Sequence, residues 1–131
     1  MNGLPRLRRV VIVLVEEQLT PRERMRHALE TLGATVLTSD SSVEALRIMH
    51  EIIPSAIMAD LSSADGAGHA LVAGLRMLPS ARSVPVISFD RASLPVDPAR
   101  LFTMISQALP RPQVSPAPPA ARPARGRRLN G

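Results

Sequence analysis

Val10-Val11-Ile12-Val13-Leu14-Val15-Glu16-Glu17 is the stretch that decides how this chain is read. The aliphatic run is far too short to span a bilayer. It also lacks the polar alternation of a strand with one wet face. It predicts a strand buried on both sides, the kind found in parallel sheets. The two acids that end it mark the strand's carboxyl end. A helix is expected next. Thr20-Pro21-Arg22-Glu23 offers a cap residue, a proline at the first helical position and an acid three residues beyond the cap. Met25, Ala28, Leu29 and Leu32 then recur at helical spacing, and Gly33 suits the C-terminal stop.

The same alternation continues down the chain. Residues 34–38 are short and β-prone, and Ser41-Ser42-Val43-Glu44 is a second capping box. It opens a helix whose expected buried stripe is Ala45, Leu46, Met49 and Ile53, closed by Pro54. Residues 55–60 form a third predicted strand ending in Asp60, and Asp65-Gly66-Ala67-Gly68 reads as a turn. Leu71, Leu75 and Leu78 then face inward from a third helix. Residues 84–89 make a fourth strand, with Pro85 tolerable near its start. Asp97-Pro98 starts a last helix carrying Leu101, Met104, Ile105 and Ala108. Strands alternating with helices imply a three-layer open α/β fold, a parallel sheet of about four strands with about four helices on its two faces. Crossover handedness leaves few topologies for it.

Composition sets the boundaries and excludes several classes. All 16 basic residues are arginine, against 11 acids, for a formal net charge of +5. Arg6, Arg8 and Arg9 precede the first strand, and Arg111, Arg122, Arg125, Arg127 and Arg128 lie in a proline-rich tail without an acid. The charge therefore sits at the ends, and the body is mildly acidic. The expected organisation is a flexible basic segment at 1–8, one domain at 9–109, and a disordered Pro/Arg/Ala-rich tail at 110–131, too poor in apolar surface to offset its ordering entropy. With no cysteine there is no disulfide, thiolate metal site or cysteine nucleophile. No signal-peptide pattern follows the arginines, so a cytoplasmic location and no membrane insertion are expected. Phe89 and Phe102 are the only aromatic residues, which leaves an aliphatic core and no platform for stacking bases. His27 and His50 are expected on helix surfaces, His69 just inside a helix start, and the methionines at 25, 49, 58, 77 and 104 in the core. Ser62 and Ser63 stand in no nucleophile elbow, and no other catalytic constellation is present, so an independent enzyme is not expected.

Open parallel sheets bind ligands beyond the carboxyl ends of their strands. Here those ends carry Glu16 and Glu17, Asp60, and Asp90. Carboxylates that converge on one edge repel one another unless protons or a cation intervene. A hard cation such as Mg²⁺, held through one or two carboxylates and several waters, fits such oxygen donors. Strand ends are also simply wet and polar, and spacing alone does not separate the two readings.

Val-Leu-Val-Glu16-Glu17-Gln, Ala-Ile-Met-Ala-Asp60-Leu, the Asp65-Gly66 turn and Val-Pro85-Val-Ile-Ser-Phe together resemble the CheY-like receiver domain of response regulators in two-component signalling. The resemblance runs from about residue 9 to 109 and follows element order as well as motif. It implies a flavodoxin-like topology, with Glu16 and Glu17 binding Mg²⁺ together with Asp60 and the backbone of Ser62. It also implies that Asp60 accepts a phosphoryl group from a histidine kinase. Five departures stand beside it, one being a loop from Asp60 to the Asp65-Gly66 turn that is shorter than the family's. The acidic pair is Glu rather than Asp. The family's switch hydroxyl falls on Asp90, and its lysine, which precedes a proline, falls on Leu94; the chain has no lysine at all. Only residues 90–96 separate strand 4 from the last helix, so the family's fourth helix and fifth strand are missing. At ~4 Å and an effective dielectric of ~20, a carboxylate beside a phosphoryl group costs about 4 kcal/mol of repulsion. A hydroxyl from Ser88, on the same strand face as Asp90, or charge from Arg91, replaces the missing groups only in part.

Three functions follow in order of expectation. The first is an atypical receiver-like protein in a phosphorelay, acting through protein–protein interaction, with Asp60 as phosphoryl acceptor and a histidine kinase or other signalling protein as partner. The second is a pseudo-receiver adapter that works without phosphorylation. The third is a nucleic-acid or anionic-surface binder through the arginine tail, without sequence-specific readout. The strand at 84–89 is expected to be a sheet edge that a second copy, a partner or residues 94–96 cover.

Overall fold

The computed structural model describes residues 6–61, 67–90 and 97–110. Within them the order is β1 (Val11–Val15), α1 (Leu19–Thr31), β2 (Thr35–Ser39), α2 (Ser42–Met49), β3 (Ala56–Ala59), α3 (Ala67–Arg76), β4 (Val86–Ser88) and α4 (Pro98–Ala108). The strands form one parallel sheet in the order β2-β1-β3-β4. This is the predicted three-layer α/β architecture. It is the flavodoxin-like order stopping at its fourth strand among the described residues.

Burial on both faces explains why β1 is a continuous aliphatic run. Ile12 and Leu14 enter a core shared with Met25, Leu29, Leu101 and Ile105, so α1 and α4 cover one face. Val13 enters a second core with Ala45, Met49, Leu71 and Leu75, so α2 and α3 cover the other. Alternate side chains of one strand thus feed two cores. The last helix lies on the α1 face, the side from which right-handed crossovers do not return the chain to the outer side of β4.

Local chemistry explains most element ends. Gly33 has φ +100°. Its N–H bonds the carbonyl of Glu30 and the Ala34 N–H bonds that of Leu29, the paired bonds of a Schellman stop. The Ser41 hydroxyl accepts the Glu44 N–H at 3.1 Å to start α2. Asp97 accepts the Arg100 N–H at 3.1 Å, with Pro98 at the first helical position of α4.

Several expectations need correction. Helix α1 starts at Leu19 with Gln18 in the cap position and no side-chain cap, so Thr20 is already helical. The reason lies in Glu16, described below. Helix α2 ends at Met49, so Ile53 leaves the helical stripe and is 58% exposed, well before Pro54 could close the helix. Met77 follows the end of α3 and is 79% exposed, outside the core that takes Met25, Met49 and Met58. Gly68 lies inside α3 and not in a turn; Asp65 and Gly66 lie outside the described residues. At the N-terminus Leu7 is 3% exposed and its N–H bonds the Leu32 carbonyl at 2.6 Å, so packing reaches back into the segment expected to be loose. Most of the expected tail, from residue 111, lies outside the described residues. Among the described residues, no helix is long and apolar enough to cross a membrane.

Candidate functional site

Parallel register brings the strand ends level. Ser39, Val15, Ala59 and Ser88 form one row across the sheet. One residue further, the row reads Asp40, Glu16, Asp60 and Phe89, with neighbouring strands about 4.8 Å apart. Glu16 and Asp60 are therefore adjacent at the β1/β3 boundary, where the direction of strand addition reverses and open α/β sheets bind their ligands.

The two members of the acidic pair do different work. Glu16 is only 2% exposed. Its backbone N–H bonds the Ser39 carbonyl at 3.0 Å, continuing the β1–β2 ladder. Its carboxylate Oε2 accepts the Gln18 N–H at 2.8 Å. That bond occupies a backbone donor at the start of α1, and it is why the helix begins without Thr20 as its cap. Glu17 is exposed at the rim, and Asp60 is half-buried. Arg22 reaches back from the first turns of α1. Its Nη1 donates to the carbonyl of Glu16 at 3.0 Å and to that of Glu17 at 3.4 Å. The backbone of the acidic pair is thus clamped from outside the strand. Arg22 also lines an open cavity of about 380 Å³ with Thr38, Ser39, Asp40 and Glu44, on the β2 side of the same row.

On the other side, α3 presses against the Asp60 segment. A β-carbon built on Gly68 would lie 2.7 Å from the Leu61 Cα and 3.2 Å from the Asp60 carbonyl oxygen. Only glycine permits that approach without moving the backbone. Asp90 and Ser88 are both exposed, whereas Ile87 and Phe89 point into the core under α4. The carboxylate at the position expected for the switch hydroxyl is thus solvent-exposed, two residues past the end of β4.

Glu16, Glu17 and Asp60 come to one edge, as expected. Ser62, Arg91 and Leu94 lie outside the described residues. Among the described residues, no three His, Asp or Glu side chains converge tightly enough to hold a metal ion. Of the set expected for Mg²⁺, Glu17 and Asp60 stand at this edge, one carboxylate oxygen of Glu16 accepts the Gln18 N–H, and Ser62 lies outside the described residues. Arg22, Asp40 and Gly68 were not singled out as site residues from sequence. Asp40 follows β2 directly and was open to the same strand-end reasoning as Asp60. The Arg22 and Gly68 contacts appear only in three dimensions.

No protein-family model matches the chain. Comparison with solved structures finds the receiver domain of a sensor histidine kinase from Pseudomonas aeruginosa, whose structure holds a magnesium ion in the active-site cleft. It superposes with a TM-score of 0.67 at 20% identity, over 76% of this chain and 96% of that one. A CheY-like response-regulator receiver domain from Methylobacillus flagellatus gives 0.64 at 24% identity, over 76% and 98%. The chain has a receiver-like fold. A chemotaxis response regulator of Vibrio cholerae matches the same receiver-like body with a TM-score of 0.63 at 18% identity, over 76% and 98%. By sequence, the chain is 25% identical over 114 residues to an uncharacterized 14.6 kDa protein of Leptolyngbya boryana, covering 73% of this chain and 87% of that one. The receiver-like fold is here built with four strands and four helices among the described residues.

Proposed function

We propose that this protein is an atypical receiver-like signalling protein that acts through protein–protein contact, with Asp60 as its phosphoryl acceptor. The observation that carries this reading is the register that sets Asp60 beside Glu16 at the β1/β3 boundary. In the transfer, an Asp60 carboxylate oxygen bonds to phosphorus as the bond from phosphorus to the donor's nitrogen or oxygen breaks. The donor leaves with that electron pair. Glu16 shapes the edge by holding the start of α1, Arg22 clamps the backbone of the acidic pair, and Glu17 stays at the rim. Glu16, Glu17, Asp60 and the backbone of Ser62 are the groups that would hold Mg²⁺, which would supply charge neutralisation for the incoming phosphoryl group. A histidine kinase or another signalling protein is the partner class that fits a receiver-like fold.

A second reading, an adapter that works without phosphorylation, is favoured by the exposed Asp90 carboxylate in the switch position and by the lack of any lysine. One experiment separates the two. The full chain is incubated with acetyl phosphate, with and without Mg²⁺, and its intact mass is recorded. A single phosphoryl adduct that is lost in Asp60→Asn supports the first reading. No adduct in either condition supports the adapter.

A further inference from the structure

The amino edge of the sheet, opposite Asp60, gathers exposed cations from three separate segments. Arg6, Arg8 and Arg9 precede β1, Arg76 ends α3, and Arg82 lies in the turn before β4; all five are exposed. Two of them have local reasons for their place. Arg76 sits in the last turn of α3, where the helix dipole favours a cation. The Arg6 guanidinium lies against Gly33 at the end of α1. Arg8, Arg9 and Arg82 have no such role: among the described residues, no acid pairs with them. Leu7 and Val10 are both buried, so they pin the ends of a turn that holds Arg8 and Arg9 outward. Arg9 keeps φ +58° in that turn, left-handed backbone that disfavours a side chain. Glycine would serve the turn better, which points to a use for the guanidinium.

Apolar side chains stand among these cations. Ile52 and Ile53 follow α2, Met77 follows α3, and all three are exposed. They emerge side by side because α2 and α3 run in close contact: a β-carbon built on Gly74 would lie 2.5 Å from the Leu46 Cδ1. Ile53 lies two residues before Ser55 and Arg9 two before Val11, and the Val11 N–H bonds the Ser55 hydroxyl at 3.0 Å. The apolar and cationic groups therefore share one rim. The acids near it are Glu51, which is exposed, and Glu30, which Arg26 holds. The other large exposed apolar residues, Leu19 and Val43, lie at the starts of α1 and α2, on the acidic edge. Leu109 shares a core with Leu7, so the chain leaves α4 at the amino edge as well. The arginines at 111, 122, 125, 127 and 128 follow from there in sequence.

We infer that the amino edge docks on the surface of an anionic lipid bilayer, with Arg8, Arg9 and Arg82 on the headgroup phosphates and Ile53 and Met77 dipping into the apolar boundary beneath them. A bilayer of this kind presents negative charge and an apolar layer directly below it, the same two features that this edge displays together. Arginine suits the role, since its planar fork bonds phosphate oxygens in pairs. The phosphate backbone of a nucleic acid would match the cations but leave Ile53 and Met77 without a partner. A second copy of the chain would set like charges against each other. Bound through its amino edge, the protein turns the carboxyl edge with Asp60 away from the bilayer, where a signalling partner reaches it.

The inference does not depend on phosphorylation of Asp60, so either can fail alone. Flotation of the full chain with lipid vesicles tests it. The chain should float with vesicles of equimolar phosphatidylglycerol and phosphatidylcholine, and stay behind with phosphatidylcholine alone. Added salt should weaken the binding. Arg8→Glu combined with Arg82→Glu should lower the affinity at least about tenfold, through lost attraction to the anionic surface. Ile53→Ser combined with Met77→Ser should lower it about tenfold, through lost apolar burial. All four side chains are exposed, and circular dichroism confirms that each variant keeps the fold. No flotation with the anionic vesicles would overturn the inference. Binding unchanged by the arginine pair would also overturn it, by assigning the contact to residues 111–131. Binding unchanged by the Ile53 and Met77 pair would do the same, by leaving a charge-only contact. Displacement by double-stranded DNA would then identify a nucleic-acid backbone as the occupant.

Discussion

Single residues set the geometry of the carboxyl edge, and some were legible before any fold was known. Gly33 was, because a helix stop with φ +100° has few alternatives to glycine. Gly33→Ala should cost about 1–2 kcal/mol, since a β-carbon is strained in left-handed backbone and would also meet the Leu7 carbonyl oxygen at 3.4 Å. Denaturant unfolding measures it; an unchanged midpoint would contradict the assignment. Glu16 was legible as a strand-end acid but not as the residue that starts α1. Its bond to Gln18 competes with the equally plausible cap at Thr20, and only burial of the carboxylate decides between them. Gly68 read as part of a turn because the closeness of Leu61 is invisible in sequence. Gly68→Ala should destabilise the fold by roughly 1–3 kcal/mol through overpacking and shift the amide resonances of Asp60 and Leu61. Stability and spectra identical to the parent would remove Gly68 from the site.

Among the elements, those with two independent signals were read best. Helix α2 has its capping serine, and α4 has both a capping aspartate and a proline at its first position. Ser41→Ala should lower stability by about 1 kcal/mol through loss of the bond to the Glu44 N–H. A change within error in thermal or chemical unfolding would contradict that role. The far end of α2 was misread because Ile53 continues the apolar spacing after the hydrogen-bonded helix has ended. Spacing records which residues could share a face, not where the backbone leaves it. On the solvent side of α1, Arg26 bridges Glu23 and Glu30. The hydrogen bond from Arg26 to Glu23 holds that carboxyl below its ordinary 4.5. A depressed folded pKa contributes stability above the unfolded value and loses it as pH falls through the folded one. The Glu23 titration midpoint should therefore lie below 4.5 in dilute salt and rise toward it as salt screens the pair. A midpoint at or above 4.5 in dilute salt would contradict the bridge.

At the scale of the whole molecule, the alternation of strands and helices was enough to predict a parallel sheet with helices on both faces. The double burial of β1 explains why that pattern was so plain. Strand order and register could not be read directly, because they depend on which strands pair. Yet register is what sets Asp60 beside Glu16. The same receiver-like sheet is built by a chain without any lysine, and it ends in a strand whose outer side is unpaired among the described residues. The central proposal is that Asp60 is the phosphoryl acceptor of this edge. Borohydride reduction of the chain after treatment with acetyl phosphate, followed by peptide mass spectrometry, tests it at the level of one atom. An acyl phosphate at this position predicts conversion of Asp60 alone to homoserine. Reduction at Glu16, Glu17 or Asp90 instead, or no reduced residue at all, would contradict the claim.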